Sequence, residues 1–70
     1  MERVPVSSSN IASIGYDPSN QILEVEFVQG AIYQYFNVPD YVYDSFLNAS
    51  SKGQFLNQNI RNVYAYARIG

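Results

Sequence analysis

Tyr33 and Tyr35, separated by Gln34, put two phenols on one side of what reads as a β-strand. Lys52 stands at a helix start beside Ser50, Ser51 and Gly53, where free backbone N–H groups suit an anion. Arg61 and Arg68 lie close in sequence to Tyr64 and Tyr66. Aromatic platforms flanked by Arg or Lys hold single-stranded nucleic acid, at roughly 1–3 kcal/mol per stacked base. The candidate ligand residues are therefore Tyr33, Tyr35, Ser51, Lys52, Gly53, Arg61, Tyr64 and Arg68. Each also has a purely structural alternative: tyrosines fill cores, serines cap helices, and charges are solvated.

Bond-making chemistry has little to work with. The chain has no His and no Cys, which removes imidazole bases, thiol nucleophiles, triads, zinc sites and disulfides. No glycine-rich phosphate loop appears. Glu24 and Glu26 share a strand face about 6–7 Å apart, within the spacing used for paired-carboxylate catalysis. A domain this small leaves little room for a substrate cleft, so the pair reads as a solvated strand face. Asp17 and Asn20 read as turn capping rather than cation ligands. No enzyme, cofactor or metal is expected.

The elements that must position these residues belong to a single domain, residues 1–70, since so short a chain builds only one core. Hydrophobic residues make up 47% and aromatic residues 16%, so Tyr and Phe supply much of the buried area. Four basic residues against six acidic ones give a formal net charge of −2, which counts against duplex nucleic acid as a partner and leaves room only for a local basic cluster. Met1 to Pro5 shows neither the apolar stretch nor the cleavage pattern of a signal peptide, and no apolar run approaches the ~20 residues of a membrane span. A cytoplasmic location is expected, and Asn48-Ala49-Ser50 is read as a chance sequon.

Pattern and turn chemistry give an α+β fold: a three-stranded antiparallel meander, two short helices, and a short C-terminal strand as one reading of the tail. Met1 to Ser9 is an extended lead-in, with Pro5 excluding helix. Asn10 to Tyr16 forms the first strand, Asp17-Pro18-Ser19-Asn20 a turn, and Gln21 to Val28 an alternating second strand. Gly30 marks a reversal into the third strand, Ala31 to Asn37. A two-residue turn at Gln29-Gly30 would pair Phe27 with Ile32. A three-residue turn with Gly30 left-handed pairs Phe27 with Ala31, Val25 with Tyr33 and Leu23 with Tyr35. The second is favoured because it gathers the apolar residues on one face. Pro39-Asp40 opens a helix through Ala49, and Ser51 caps another over Lys52 to Arg61. Asn62 to Gly70 fits either a continued helix or an extended strand, and the extended form is preferred.

Taken in order, Ser9-x-Ile11, Gly15-Tyr16-Asp17, Leu23-x-Val25-x-Phe27, Gly30, Tyr33-x-Tyr35, Val38-Pro39, Ser51-x-Gly53-x-Phe55, Asn57 and Ile60-Arg61-x-x-Tyr64 resemble the KTSC domain, over about Val6 to Ile69. That family is named for its occurrence at the C-terminus of some lysyl-tRNA synthetases and also includes free-standing small bacterial proteins. The resemblance implies a module of unknown function, with RNA binding suggested by the synthetase context. Its central Tyr-x-Tyr falls on Tyr33 and Tyr35, and its Ser-x-Gly and Ile-Arg elements on Ser51, Gly53 and Arg61. The chain departs from the pattern at Ala65, where many relatives carry proline, and at the neutral Gln58, Asn59 and Asn62, where relatives are richer in Arg and His. Two functions follow as expectations. One is RNA or tRNA binding that weakens steeply with salt, with Tyr33 and Tyr35 near bases and Lys52, Arg61 and Arg68 on phosphates. The other is a protein-interaction or self-associating module, since Tyr enrichment with near-balanced charge suits a protein interface.

Overall fold

The computed structural model describes residues 1–70. Its elements run β1 (Arg3–Pro5), β2 (Ile11–Asp17), β3 (Ile22–Phe27), β4 (Ile32–Tyr35), α1 (Asp40–Asn48), α2 (Lys52–Asn59) and β5 (Tyr66–Arg68). The five strands form one antiparallel meander in chain order. The three central strands, the two helices and the extended tail are those the sequence implies. The addition is β1: the lead-in is not a free arm but an edge strand, with Arg3 opposite Gly15 and Val4 opposite Ile14.

Gly15 admits that edge. A Cβ built there would lie 2.7 Å from the Glu2 carbonyl oxygen, closer than real Cβ atoms come, and 3.0 Å from Arg3 Cγ. The missing side chain lets β1 lie close over β2, and Pro5, which has no N–H to give, closes the short edge strand.

Register sorts the side chains onto two faces. Leu23 pairs with Tyr35, Val25 with Tyr33, and Phe27 donates its N–H to Ala31 O at 2.8 Å. This is the three-residue turn, with Gly30 at φ 109°. The turn between β2 and β3 is held by Asp17, which accepts from the Ser19 N–H at 3.0 Å and the Asn20 side chain at 2.9 Å. On β2 the pairing with β3 slips between Ile11 and Ser13. That bulge puts an extra residue, Ala12, into the strand, so Ile11 and Ile14, three apart, both reach the core.

Both helices cover the face carrying Ile11, Ile14, Leu23, Val25 and Tyr35, and close the core with Phe46, Leu56 and Ile60. In α2 the Ser51 hydroxyl accepts the Gln54 N–H at 3.3 Å, the cap expected from sequence. The helix ends at Asn59, two residues short of the expected Arg61, and Ile60 is its buried C-cap. Asn62 then takes φ 66°, a left-handed conformation that Asn tolerates, and turns the chain toward β5.

The opposite face corrects one expectation. Glu24 and Glu26 are not a solvated pair. Glu24 is only 7% exposed, pairs with the Arg3 guanidinium at one oxygen and accepts from Gln34 Nε2 at 2.9 Å at the other. Ser13 joins by accepting from Arg3 Nε at 3.0 Å and donating to Glu26 at 2.8 Å. Burial raises the Glu24 pKa, but the hydrogen bonds from Gln34 and Arg3 and the charge of Arg3 outweigh it and hold the carboxyl below its ordinary value. The carboxylates are consumed by fastening β1 to the sheet.

Candidate functional site

A groove of about 420 Å³ opens where the helix-covered face of the sheet runs past α2. Its floor is aromatic, because the alternation that sends Leu23 and Val25 inward also sends Phe27, Tyr33 and Tyr35 to that side. Strand β5 then lays Tyr66 opposite Tyr35. The Tyr33 ring is tilted against Tyr66 at 5.6 Å, roughly stacked with Tyr35 at 6.4 Å and edge-on to Phe27 at 5.7 Å, while Tyr66 meets Tyr35 at 6.0 Å. Such pairs contribute about 0.5–1.5 kcal/mol each beyond their buried area, so the cluster is preformed rather than assembled on binding. The rings are unequally available. Tyr35 is 4% exposed and belongs to the core, Tyr33 is half-buried, and Tyr66 is 59% exposed.

The far wall is polar. Helix α2 supplies Gly53 and Asn57, and the turn that follows supplies Arg61 and Asn62. Gly53 lies close to the other wall: a Cβ there would sit 3.3 Å from the Asn10 side-chain nitrogen, which also lines the groove. Asn57 accepts a hydrogen bond from Arg61 Nη1 at 3.3 Å and so helps aim the guanidinium. Gln29 completes the rim.

Electrostatically the groove differs from the chain that builds it. Arg61 is its one charged lining residue, and none of the six carboxylates borders it. The Tyr35 phenol is pushed up by burial, pulled down by Arg61, and raised again by Tyr33 and Tyr66; the net rise keeps it protonated at neutral pH, a hydrogen-bonding group and not a base. No group of three or more His, Cys, Asp or Glu side chains could hold a metal ion. The groove can therefore stack against a flat ring, donate to an anion, and offer amides to a polar edge.

Of the sequence candidates, Tyr33, Tyr35, Gly53 and Arg61 converge here. Ser51 is occupied as the α2 cap. Lys52 does not point to an anion site: its Nζ donates to the Ala49 carbonyl at 2.6 Å. Arg68 pairs with Tyr33 across the β4–β5 ladder, and its Nε donates to Gly70 O at 2.7 Å. Tyr64 lines a shallower groove between the helices, with Tyr41, Val42 and Phe55. Sequence reasoning had placed Tyr66 beside the cations without choosing it, and the amides of Asn10, Gln29, Asn57 and Asn62 carry no pattern that could have marked them.

No helix is long and apolar enough to cross a membrane. Residues 7–64 match the family model described as the KTSC domain. A solved KTSC domain protein from Yersinia pestis is 47% identical, covers 99% of this chain and 97% of its own, and superposes with a TM-score of 0.93. An uncharacterized protein from Stutzerimonas stutzeri is 49% identical over 70 residues, 99% of each chain. A lysine–tRNA ligase from Nostoc is 39% identical over 61 residues, spanning 87% of this chain but 11% of the ligase. With matched residues from Ser7 to Tyr64 and a fold shared almost end to end, the chain belongs to the KTSC domain family.

Proposed function

We propose that this KTSC domain is a non-catalytic module that binds unpaired RNA through the aromatic groove, in the cytoplasm where such RNA is met. The observation that carries the reading is the joining of four aromatic rings to Arg61 in a groove without a carboxylate. Stacking on aromatic rings beside a cation is the general means of holding single strands. The sharing of the domain with lysine–tRNA ligases supports RNA over other flat anions.

The steep salt dependence expected from sequence does not suit this geometry. Arg3 is engaged on the opposite face and Lys52 on a carbonyl, leaving Arg61 and Arg68 to meet phosphates. Two neutralised phosphates on a single strand give a slope of log K against log salt of about −1.4. Binding is driven by stacking and amide contacts, with a modest electrostatic share.

The test is anisotropy of a labelled single-stranded RNA dodecamer, and separately of tRNA, titrated with folded protein into high micromolar concentration at low salt. Saturable binding that Tyr66→Ala and Arg61→Ala both weaken supports the reading; a flat titration ends it. A second reading is a protein-interaction or self-associating module, and Tyr41 favours it. Tyr41 is 67% exposed beside the inter-helix groove. Sedimentation showing a concentration-dependent dimer that Tyr41→Ser abolishes would favour that second reading.

A further inference from the structure

We infer that the groove holds one purine nucleotide, its base laid on Tyr66 and its phosphate on Arg61. This deepens the RNA reading and rests on it for the natural source of that nucleotide. Three properties agree on one unit. The first is stacking surface: Tyr66 is the one exposed residue of the four aromatics, whereas Tyr35 is 4% exposed. Proteins that track a strand offer successive platforms, typically for roughly 4–16 nucleotides. The second is charge. Arg61 alone lines the groove, and with one Nη1 contact to Asn57 it keeps most of its five N–H donors for a two-pronged grip on one phosphate. The third is size: about 420 Å³ lies toward the lower end of small-ligand sites, which run roughly 300–1,000 Å³.

The preference for purine comes from the rim. Side-chain amides make paired contacts to N6 and N7 of adenine, and their NH₂ groups donate to O6 or N7 of guanine. The groove offers four such amides, in Asn10, Gln29, Asn57 and Asn62, which leaves Arg61 to the phosphate. The amino group of cytosine is met by a carboxylate, and none borders the groove. A purine also covers more of the open Tyr66 ring than a pyrimidine does.

The ligand chemistry could come from a free nucleotide or from an unpaired residue of RNA, and one experiment separates them. The isotopically labelled 70-residue chain is titrated at low salt with each of the four ribonucleoside monophosphates and with oligo(A), oligo(C) and oligo(U) hexanucleotides, read by backbone amide shifts. AMP and GMP are expected to bind at least about five-fold more tightly than CMP and UMP, the lower end of what one paired base contact gives. Shifts should gather at Gly53, Asn57, Arg61, Asn62 and Tyr66, and oligo(A) should exceed AMP only by its number of equivalent residues. Arg61→Gln, at an exposed position after α2, should weaken binding without disturbing the sheet, so the test does not depend on Tyr66→Ala retaining β5. Equal affinity for purines and pyrimidines, or affinity that climbs steeply with chain length, overturns the inference and leaves RNA binding standing. Monophosphates bound and hexanucleotides refused supports the single-nucleotide site and removes the RNA reading. No shift with any ligand removes both.

Discussion

Replacing Glu24 by Gln is the sharpest test of how this sheet is held together. Glu24 is 7% exposed and its carboxylate accepts at both oxygens, from Arg3 on one side and from Gln34 on the other. Gln keeps one acceptor and turns the second into an NH₂ group facing a donor. A hydrogen bond to a charged group is worth about 1.5–3 kcal/mol, and the Arg3 side chain, 28% exposed, can recover part of its loss by turning to water. A cost of about 2–3 kcal/mol follows. A chain of 70 residues has on the order of 4–10 kcal/mol to lose, and for domains of this size each kcal/mol moves Tm by roughly 4–8 °C, so Tm should fall by about 8–24 °C. Glu26→Gln is the control: its side chain is 35% exposed and its contact with Arg3 is 3.9 Å, so its cost should stay below about 1 kcal/mol. The sign with pH is fixed by the depressed Glu24 pKa. The stabilisation is present above the unfolded value of about 4.3 and is lost as pH falls through the lower, folded value. Thermal melts of both variants across that acid range should therefore show the gap between wild type and Glu24→Gln closing as pH drops. A Glu24→Gln protein that melts with wild type at neutral pH would refute the account and restore the solvated face.

Four further outcomes follow from the same geometry. Tyr66→Ala should weaken single-stranded RNA binding by about five- to 150-fold, the equivalent of one stacked base, in an anisotropy titration that shows the protein still folded. The slope of log K against log salt should be no steeper than about −1.4, and a slope near −4 would mean that cations outside the groove carry the binding. Gly15→Ala should loosen β1, because its Cβ would stand 2.7 Å from Glu2 O, and faster amide exchange at Val6, whose N–H donates to Ala12 O, would report it. Gly30→Ala should cost about 1–3 kcal/mol from backbone conformation alone, since φ is 109° and nothing lies within 4 Å of the added carbon. Chemical denaturation measures that cost.

The central hairpin was legible because two independent signals agreed. Gly30 supplied a left-handed turn residue, and only the three-residue turn put Leu23, Val25, Tyr33 and Tyr35 on one face. Ser51 was legible for a similar reason, a capping residue followed by an apolar helical face. The bulge at Ala12 was not, because Ile11 and Ile14 three apart fit neither a strand period nor a helix of that length, and only the sheet reveals how both are buried. Strand β1 was hidden because its partners are distant: Gly15 supplies a vacancy and Glu24 a counter-charge, and neither announces itself in a nine-residue polar lead-in. The site was half legible. Tyr33-x-Tyr35 marked the floor, but the open ring is Tyr66, on a tail whose spacing fitted helix and strand alike, and side-chain amides leave no periodic trace.

Net charge alone does not describe the groove, for a physical reason. A formal −2 argues against binding an anion only if the charges are spread evenly, and here they are sorted by the pleat. Strand alternation sends Glu24 and Glu26 to the face away from the helices, where they are gathered with Arg3. Asp40 and Asp44 lie on α1, and Asp17 is tied into the β2–β3 turn. The same alternation sends Tyr33 and Tyr35 the other way, toward α2, whose C-terminal turn delivers Arg61 to a groove no carboxylate borders. With a Debye length of about 8 Å at physiological ionic strength, solvent-exposed charges beyond that distance are largely screened. Arg61 is therefore the charge that the groove itself presents, whatever the sign of the chain as a whole. The ion-pair network that fastens β1 and the cation that faces the groove are two results of one register, so moving β3 against β4 by a single residue would bury the acids among the tyrosines and abolish both.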